Sequence, residues 1–162
     1  MPTTSTKVTR TAVPKAKDAT ALLRADHKEV NDLFQQFENT NATAKKKSIV
    51  AEICKALTVH AQIEEEIFYP AVKKALKDKE LIPEAAVEHA TLKTLIAQIE
   101  GVEPDGELYD AKVKVLSEYV KHHVKEEQTQ IFPKAKAAVK LDLTQLGEQL
   151  LQRKQELLAE LQ

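Results

Sequence analysis

Two stretches of twelve residues constrain this chain most. Residues 59–70 (VHAQIEEEIFYP) and residues 122–133 (HHVKEEQTQIFP) each set a histidine ten residues, and a glutamate six residues, ahead of a proline. The four-residue spacing of His60 to Glu64 and of His123 to Glu127 puts each pair on one face of a helix, with Cβ atoms about 5–6 Å apart. Both pairs continue apolar stripes. Alternating steps of three and four give Leu23, His27, Val30, Phe34 and Phe37 in a first segment, and Val50, Ile53, Leu57, His60, Glu64 and Ile67 in a second. A third runs Ala85, His89, Leu92, Ile96 and Ile99, and a fourth Val113, Leu116, Val120, His123, Glu127 and Ile131. Stripes of this period bury themselves against one another as helices, so the fold class is all-α.

Composition agrees. Among 162 residues there are three glycines, no tryptophan and 4% aromatics. Alanine, leucine, lysine, glutamate and glutamine, which lose least on entering a helix, dominate instead. Residues 1–17 read as a weakly basic, disordered tail. The first helix starts at Asp18 or Thr20, either able to cap free N–H groups, and runs to about Glu38. The second begins after Asn41 or Thr43 and runs through Ile67, where Pro70 forces a kink or an end. The third opens at Pro83 and stops at Gly101; the fourth runs from about Glu107 to the neighbourhood of Phe132, with Pro133 echoing Pro70. These segments make one domain over residues 18–138. A further amphipathic helix over 141–162 carries Leu143, Leu146, Leu150, Leu157 and Leu161, a stripe interrupted only by Lys154. It is expected to pack back on its own bundle, leaving a monomer, with a small homo-oligomer through this helix as the alternative.

Charge narrows the partners. A formal net charge of −1 with 30% charged residues gives no one-signed field, so neither nucleic acid nor membrane is expected as a partner. Lys45, Lys46 and Lys47 read as a solvated face. No apolar run nears the roughly 20 residues that span a bilayer. A single cysteine, Cys54, reads as a small buried apolar residue and suits a reducing, cytoplasmic compartment. No phosphate-cradling glycine loop, zinc-type cysteine pair or serine nucleophile elbow occurs.

The chemistry lies in the stripes. An ionised carboxylate withdrawn from water without a partner costs several kcal/mol or more. Glu64 and Glu127 must therefore be paired, protonated or bound to a cation, and four stripe histidines nearby make the cation the simplest answer. Candidate metal ligands are His27, His60, Glu64, His89, His123 and Glu127. A second pair four apart, His122 and Glu126, falls on a flanking stripe, which assigns His122 to the surface or to a supporting role.

These residues resemble the hemerythrin HHE cation-binding family. The resemblance rests on Asp26-His27, VHAQIEEEIFYP, Glu88-His89 and HHVKEEQTQIFP, and it spans about residues 18–138. It implies an up-down-up-down four-helix bundle, here with an additional C-terminal helix. It also implies two iron ions bridged by Glu64, Glu127 and a solvent-derived oxo or hydroxo group, with His27, His60, His89 and His123 as terminal ligands. One departure stands out. Oxygen-carrying members place two histidines four apart on the third helix, whereas His89 is flanked at that spacing by Ala85 and Lys93. Four histidines, two bridging carboxylates and one bridging oxygen leave two of twelve positions on two six-coordinate irons unfilled. Either both stay exchangeable or another side chain, Tyr119 or Glu88 among them, fills one. The expected function is a non-haem di-iron protein that binds or senses O2, NO or iron. An oxidoreductase reducing peroxide or nitric oxide at the same site is the alternative. A small diatomic ligand or peroxide is the expected partner.

Overall fold

The computed structural model describes residues 17–162 except residue 105; the expected tail, apart from Lys17, lies outside the described residues. The described chain is built from helices, with no strand among these residues. Helix α1 (Ala19–Glu38) begins where the Asp18 carboxylate accepts the Ala21 N–H at 3.0 Å, the capping expected from sequence. Helix α2 (Thr43–Ile63) runs into a π turn (Glu64–Phe68) and then α3 (Tyr69–Leu76). Helix α4 (Leu81–Ile99) returns, and α5 (Glu107–Glu126) passes through a second π turn (Glu127–Ile131) into α6 (Phe132–Ala137). These four rods form the bundle, with α1 packed on α2 and α4 on α5. Helix α7 (Leu143–Glu160) lies against α1 and α2.

Two details differ from the expectation. Helix α4 opens at Leu81 rather than Pro83, because the Asp78 carboxylate accepts the N–H groups of both Leu81 and Ile82. Pro83 then falls in the first turn, where its missing N–H leaves nothing unsatisfied. Pro70 and Pro133, in turn, do not end their rods, which continue through them as α3 and α6. A proline removes a donor and crowds the carbonyl four residues back. The π turns absorb this by inserting one residue: the Tyr69 N–H reaches the Glu64 carbonyl, and the Phe132 N–H reaches the Glu127 carbonyl, each five residues back.

The inserted residue shifts the register below each glutamate. Ile67, expected on the stripe, is half-buried, while Phe68 and Tyr69 turn inward in its place. Two apolar clusters result. One gathers Leu23, Ile63, Phe68, Val72, Ala85 and Phe132 with Leu146, Leu150 and Leu157 of α7. The other gathers Val30, Phe34, Ile53, Leu57, Leu92, Ile96, Leu116 and Val120. Cys54 is buried in the second, and burial with nearby Glu100 pushes its thiol up to about 11, the inert behaviour expected of it. No helix among the described residues is long and apolar enough to cross a membrane.

Candidate metal centre

Each rod carries its histidine at the boundary between the two clusters. His27 lies between Leu23 and Val30, His60 between Leu57 and Ile63, His89 between Ala85 and Leu92, and His123 between Val120 and Ile131. These four and both glutamates are at most 8% exposed. All six residues singled out from the sequence thus meet in one buried layer, while His122 is exposed, as expected.

The donors fall into two groups, His27, His60 and Glu127 in one and Glu64, His89 and His123 in the other, with ligand atoms in each within 4.8 Å of one another. Each glutamate reaches one histidine from either group. Glu64 Oε1 is 2.7 Å from His60 Nε2 and 3.5 Å from His89 Nε2. Glu127 Oε1 is 3.0 Å from His27 Nε2, and its Oε2 is 3.4 Å from His123 Nε2. Despite these short separations, His27 Nε2, His60 Nε2, both Glu64 oxygens and Glu127 Oε1 make no well-formed hydrogen bond. They are close without being aligned on each other. Buried donors left this way are costly unless something further satisfies them.

The opposite edges of three of the four imidazoles are held from behind, while His89 Nδ1 is buried without a hydrogen-bond partner. Asp26 Oδ2 is 2.9 Å from His60 Nδ1, and Glu88 Oε1 is 3.1 Å from His123 Nδ1. The side-chain amide of Gln128 lies 2.9 Å from His27 Nδ1. The acid preceding one histidine therefore buttresses the histidine of a neighbouring rod: Asp26 precedes His27 but holds His60, and Glu88 precedes His89 but holds His123. Carboxylates placed there fix the ring so that Nε2 faces the centre, the arrangement metal-ligating histidines adopt. Five inner-face atoms without hydrogen bonds, on a cage of imidazole nitrogens and carboxylate oxygens with three of its histidines braced from outside, fit cations.

Electrostatics within the protein agree. Burial alone would lower the His60 pKa, but Glu64 and Asp26 outweigh it and hold it well above the ordinary value. His123, buried between Glu127 and Glu88, is raised to about 10. Burial raises the Glu64 carboxyl, but its close neighbours His60, Glu127 and His89 pull it well below the usual carboxylate range. The metal-free cage thus favours the protonated forms of His60 and His123.

One residue in this layer escaped the sequence reading. The Tyr69 hydroxyl donates to Glu127 Oε2 at 2.5 Å and lies 3.1 Å from His123 Nε2 and 3.3 Å from His89 Nε2. Tyr119, one candidate to fill the place of the missing histidine, is 47% exposed, and Glu88, the other, braces His123 from outside. Residue 69 stands five places after Glu64, so no α-helical spacing puts both on one face; the π turn does. The available signal was the repeat itself, in which Tyr69 and Phe132 both immediately precede the proline. Phe132 accordingly occupies the other half, its ring stacked 6.0 Å from His27.

On the far side, toward the second cluster, a cavity of about 30 Å3 adjoins all four histidines. Val30, Leu57, Leu92, Ile96, Val120 and Val124 line it.

Residues 18–135 match the family described as the hemerythrin HHE cation binding domain. A DNA nickase of Nostoc sp. is 32% identical over 111 residues, which are 68% of this chain and 31% of that protein, so the chain spans about a third of the relative's length. The crystal structure of a hemerythrin HHE cation binding domain-containing protein from Mycobacterium kansasii superposes with a TM-score of 0.76 over 89% of both chains, at 21% identity. That likeness concerns the fold; the match over residues 18–135, on a bundle whose four rods each bring a histidine to one buried cage, makes this chain a member of the hemerythrin HHE cation-binding domain family.

Proposed function

We propose that this protein binds two iron ions in the buried cage and uses them to take up or sense a small neutral ligand such as O2 or NO. The observation that carries the reading is the inner face of the cage, where Nε2 of His27 and His60, both Glu64 oxygens and Glu127 Oε1 approach one another, buried, without a hydrogen bond. His27 and His60 would hold one ion, His89 and His123 the other, and Glu64 and Glu127 both. Iron supplies reversible one-electron chemistry and exchangeable positions for a diatomic ligand. The residues supply the rest. Glu64 and Glu127 would offset the cationic charge, and Asp26, Glu88 and Gln128 keep the imidazoles of His60, His123 and His27 oriented.

Tyr69 makes the two halves unequal. Its oxygen, beside His89 and His123, would complete the donor set of that half, leaving the half beside Phe132 as the one with the exchangeable position. Burial first, and then Glu64 and Glu127, hold the Tyr69 pKa well above its ordinary value, so the phenol keeps its proton and donates it to Glu127 in the metal-free cage. The apolar cavity favours neutral diatomics over charged substrates. A cavity of about 30 Å3 exceeds the roughly 10–15 Å3 one water needs, without room for a larger organic molecule. The nicking activity named for the Nostoc relative stays with that longer protein, and a cytoplasmic, nucleic-acid-free setting remains our expectation for this one.

Iron-loaded parent and Tyr69→Phe should be compared by visible spectroscopy in the ferric state, then exposed to NO and to hydrogen peroxide. The parent is expected to show a phenolate charge-transfer band that Tyr69→Phe lacks, and to bind NO in both forms. An unchanged spectrum in Tyr69→Phe would remove the tyrosine from the ligand set. Sustained catalytic consumption of peroxide, rather than a stoichiometric colour change, would replace the sensing role with the oxidoreductase alternative.

A further inference from the structure

Helix α7 docks through leucines, yet at the one interruption of its stripe it presents an ammonium group to the metal centre's support. Lys154 Nζ lies 2.5 Å from Asp26 Oδ1. The other oxygen of that carboxylate, Oδ2, is 2.9 Å from His60 Nδ1, and His60 Nε2 lies 2.7 Å from Glu64 Oε1. Lysine, carboxylate and imidazole thus form a continuous line from α7 to the cage. The side chain of Asp26 is 7% exposed, so its pairing is poorly screened by solvent. In the other half Glu88 braces His123, but its outward oxygen faces the exposed His122 at 3.5 Å rather than a lysine. The line is therefore particular to one half. Lys154 also lies outside the stretch, 18–135, that matches the family.

A carboxylate hydrogen-bonded to the rear of a ligating imidazole draws on its N–H proton and makes the opposite nitrogen a stronger donor. A cation on the same carboxylate offsets that pull. We propose that Lys154 is a positioning residue that weakens the donor strength of His60 through Asp26, so that α7 sets the affinity and reduction potential of the His27 and His60 half. This rests on the di-iron reading.

The test uses the full-length, iron-loaded protein with Lys154→Met, Lys154→Arg, Asp26→Asn and the double variant Asp26→Asn/Lys154→Met. Iron content is measured first, then the potential and the rate of iron loss to a chelator. Losing the lysine should strengthen His60 as a donor. Lys154→Met is expected to shift the oxidised-to-reduced ratio about tenfold toward ferric, some 59 mV for one electron, and to slow iron extraction. Lys154→Arg should restore parental values, which a merely space-filling role would not require. Asp26→Asn should move the potential the opposite way, and adding Lys154→Met to it should change nothing more. A Lys154→Met potential equal to the parent's, or a shift that persists in the Asp26→Asn background, overturns the relay while iron content upholds the cage. A parent that takes up no iron removes both. Should Lys154→Met fold poorly, Lys154→Gln carries the same expectation.

Discussion

At the scale of single residues, the cage is governed by competition between protons and cations. His123 is raised to about 10, and His60 is held well above its ordinary value by Glu64 and Asp26 despite burial. Both are therefore protonated at neutral pH in the metal-free protein and must release protons to become ligands. Apparent affinity for a divalent ion should fall about tenfold per pH unit for each proton displaced, as pH drops from 9 to 6. A chelator-competition titration checks this, and a pH-independent affinity would contradict it. Stability follows the opposite sign. A raised histidine pKa stabilises the fold fully below its unfolded value, near 6.5, and that contribution fades as pH climbs toward 10. Metal-stripped protein should thus melt at lower temperature at pH 9 than at pH 6, and the loaded protein should not share that loss.

At the scale of elements, the π turns and α7 decide what the helical stripes alone do not. Gly147 shows how closely α7 sits on the start of α1. A methyl there would overlap the Lys17 carbonyl oxygen and stand 2.9 Å from the Asp18 carbonyl carbon. In an exposed helix, glycine to alanine stabilises by about 1 kcal/mol. Here Gly147→Ala should destabilise by roughly 1–3 kcal/mol, because backbone must move to admit the methyl; a raised melting temperature would contradict the docking. Most of what was legible in the sequence shares one cause, the 3.6-residue period. That period placed all six cage residues and Leu146, Leu150 and Leu157 of α7, because each depends on local spacing, although Leu161 at the end of that stripe is exposed. The Asp18 cap was one of two candidates read from residue type. The period failed at Ile67 and Tyr69, which lie beyond the inserted residue of a π turn, where it lengthens. Lys154 was visible as an interruption, but its partner Asp26 is 128 residues away, and no pattern within one helix points there.

At the scale of the whole molecule, the protein is two apolar clusters separated by a layer of ionisable groups at the middle of the bundle. A continuous apolar core would be cheaper to build, since buried ion pairs replaced by well-packed apolar residues are often neutral or stabilising by about 1–4 kcal/mol. Keeping histidine on every rod and glutamate on two makes sense when cations complete the layer. The cluster below, with Phe68, Phe132 and α7, seals the Tyr69 side, and the small cavity above leaves room beside the histidines. The most direct test is iron content after anaerobic loading and desalting, comparing the parent with Glu64→Leu/Glu127→Leu and the isosteric Glu64→Gln/Glu127→Gln, all checked for helicity. Parent protein should retain about two irons per chain and both variants close to none; folded variants that retain as much iron as the parent would show that the buried layer is not the ligand cage.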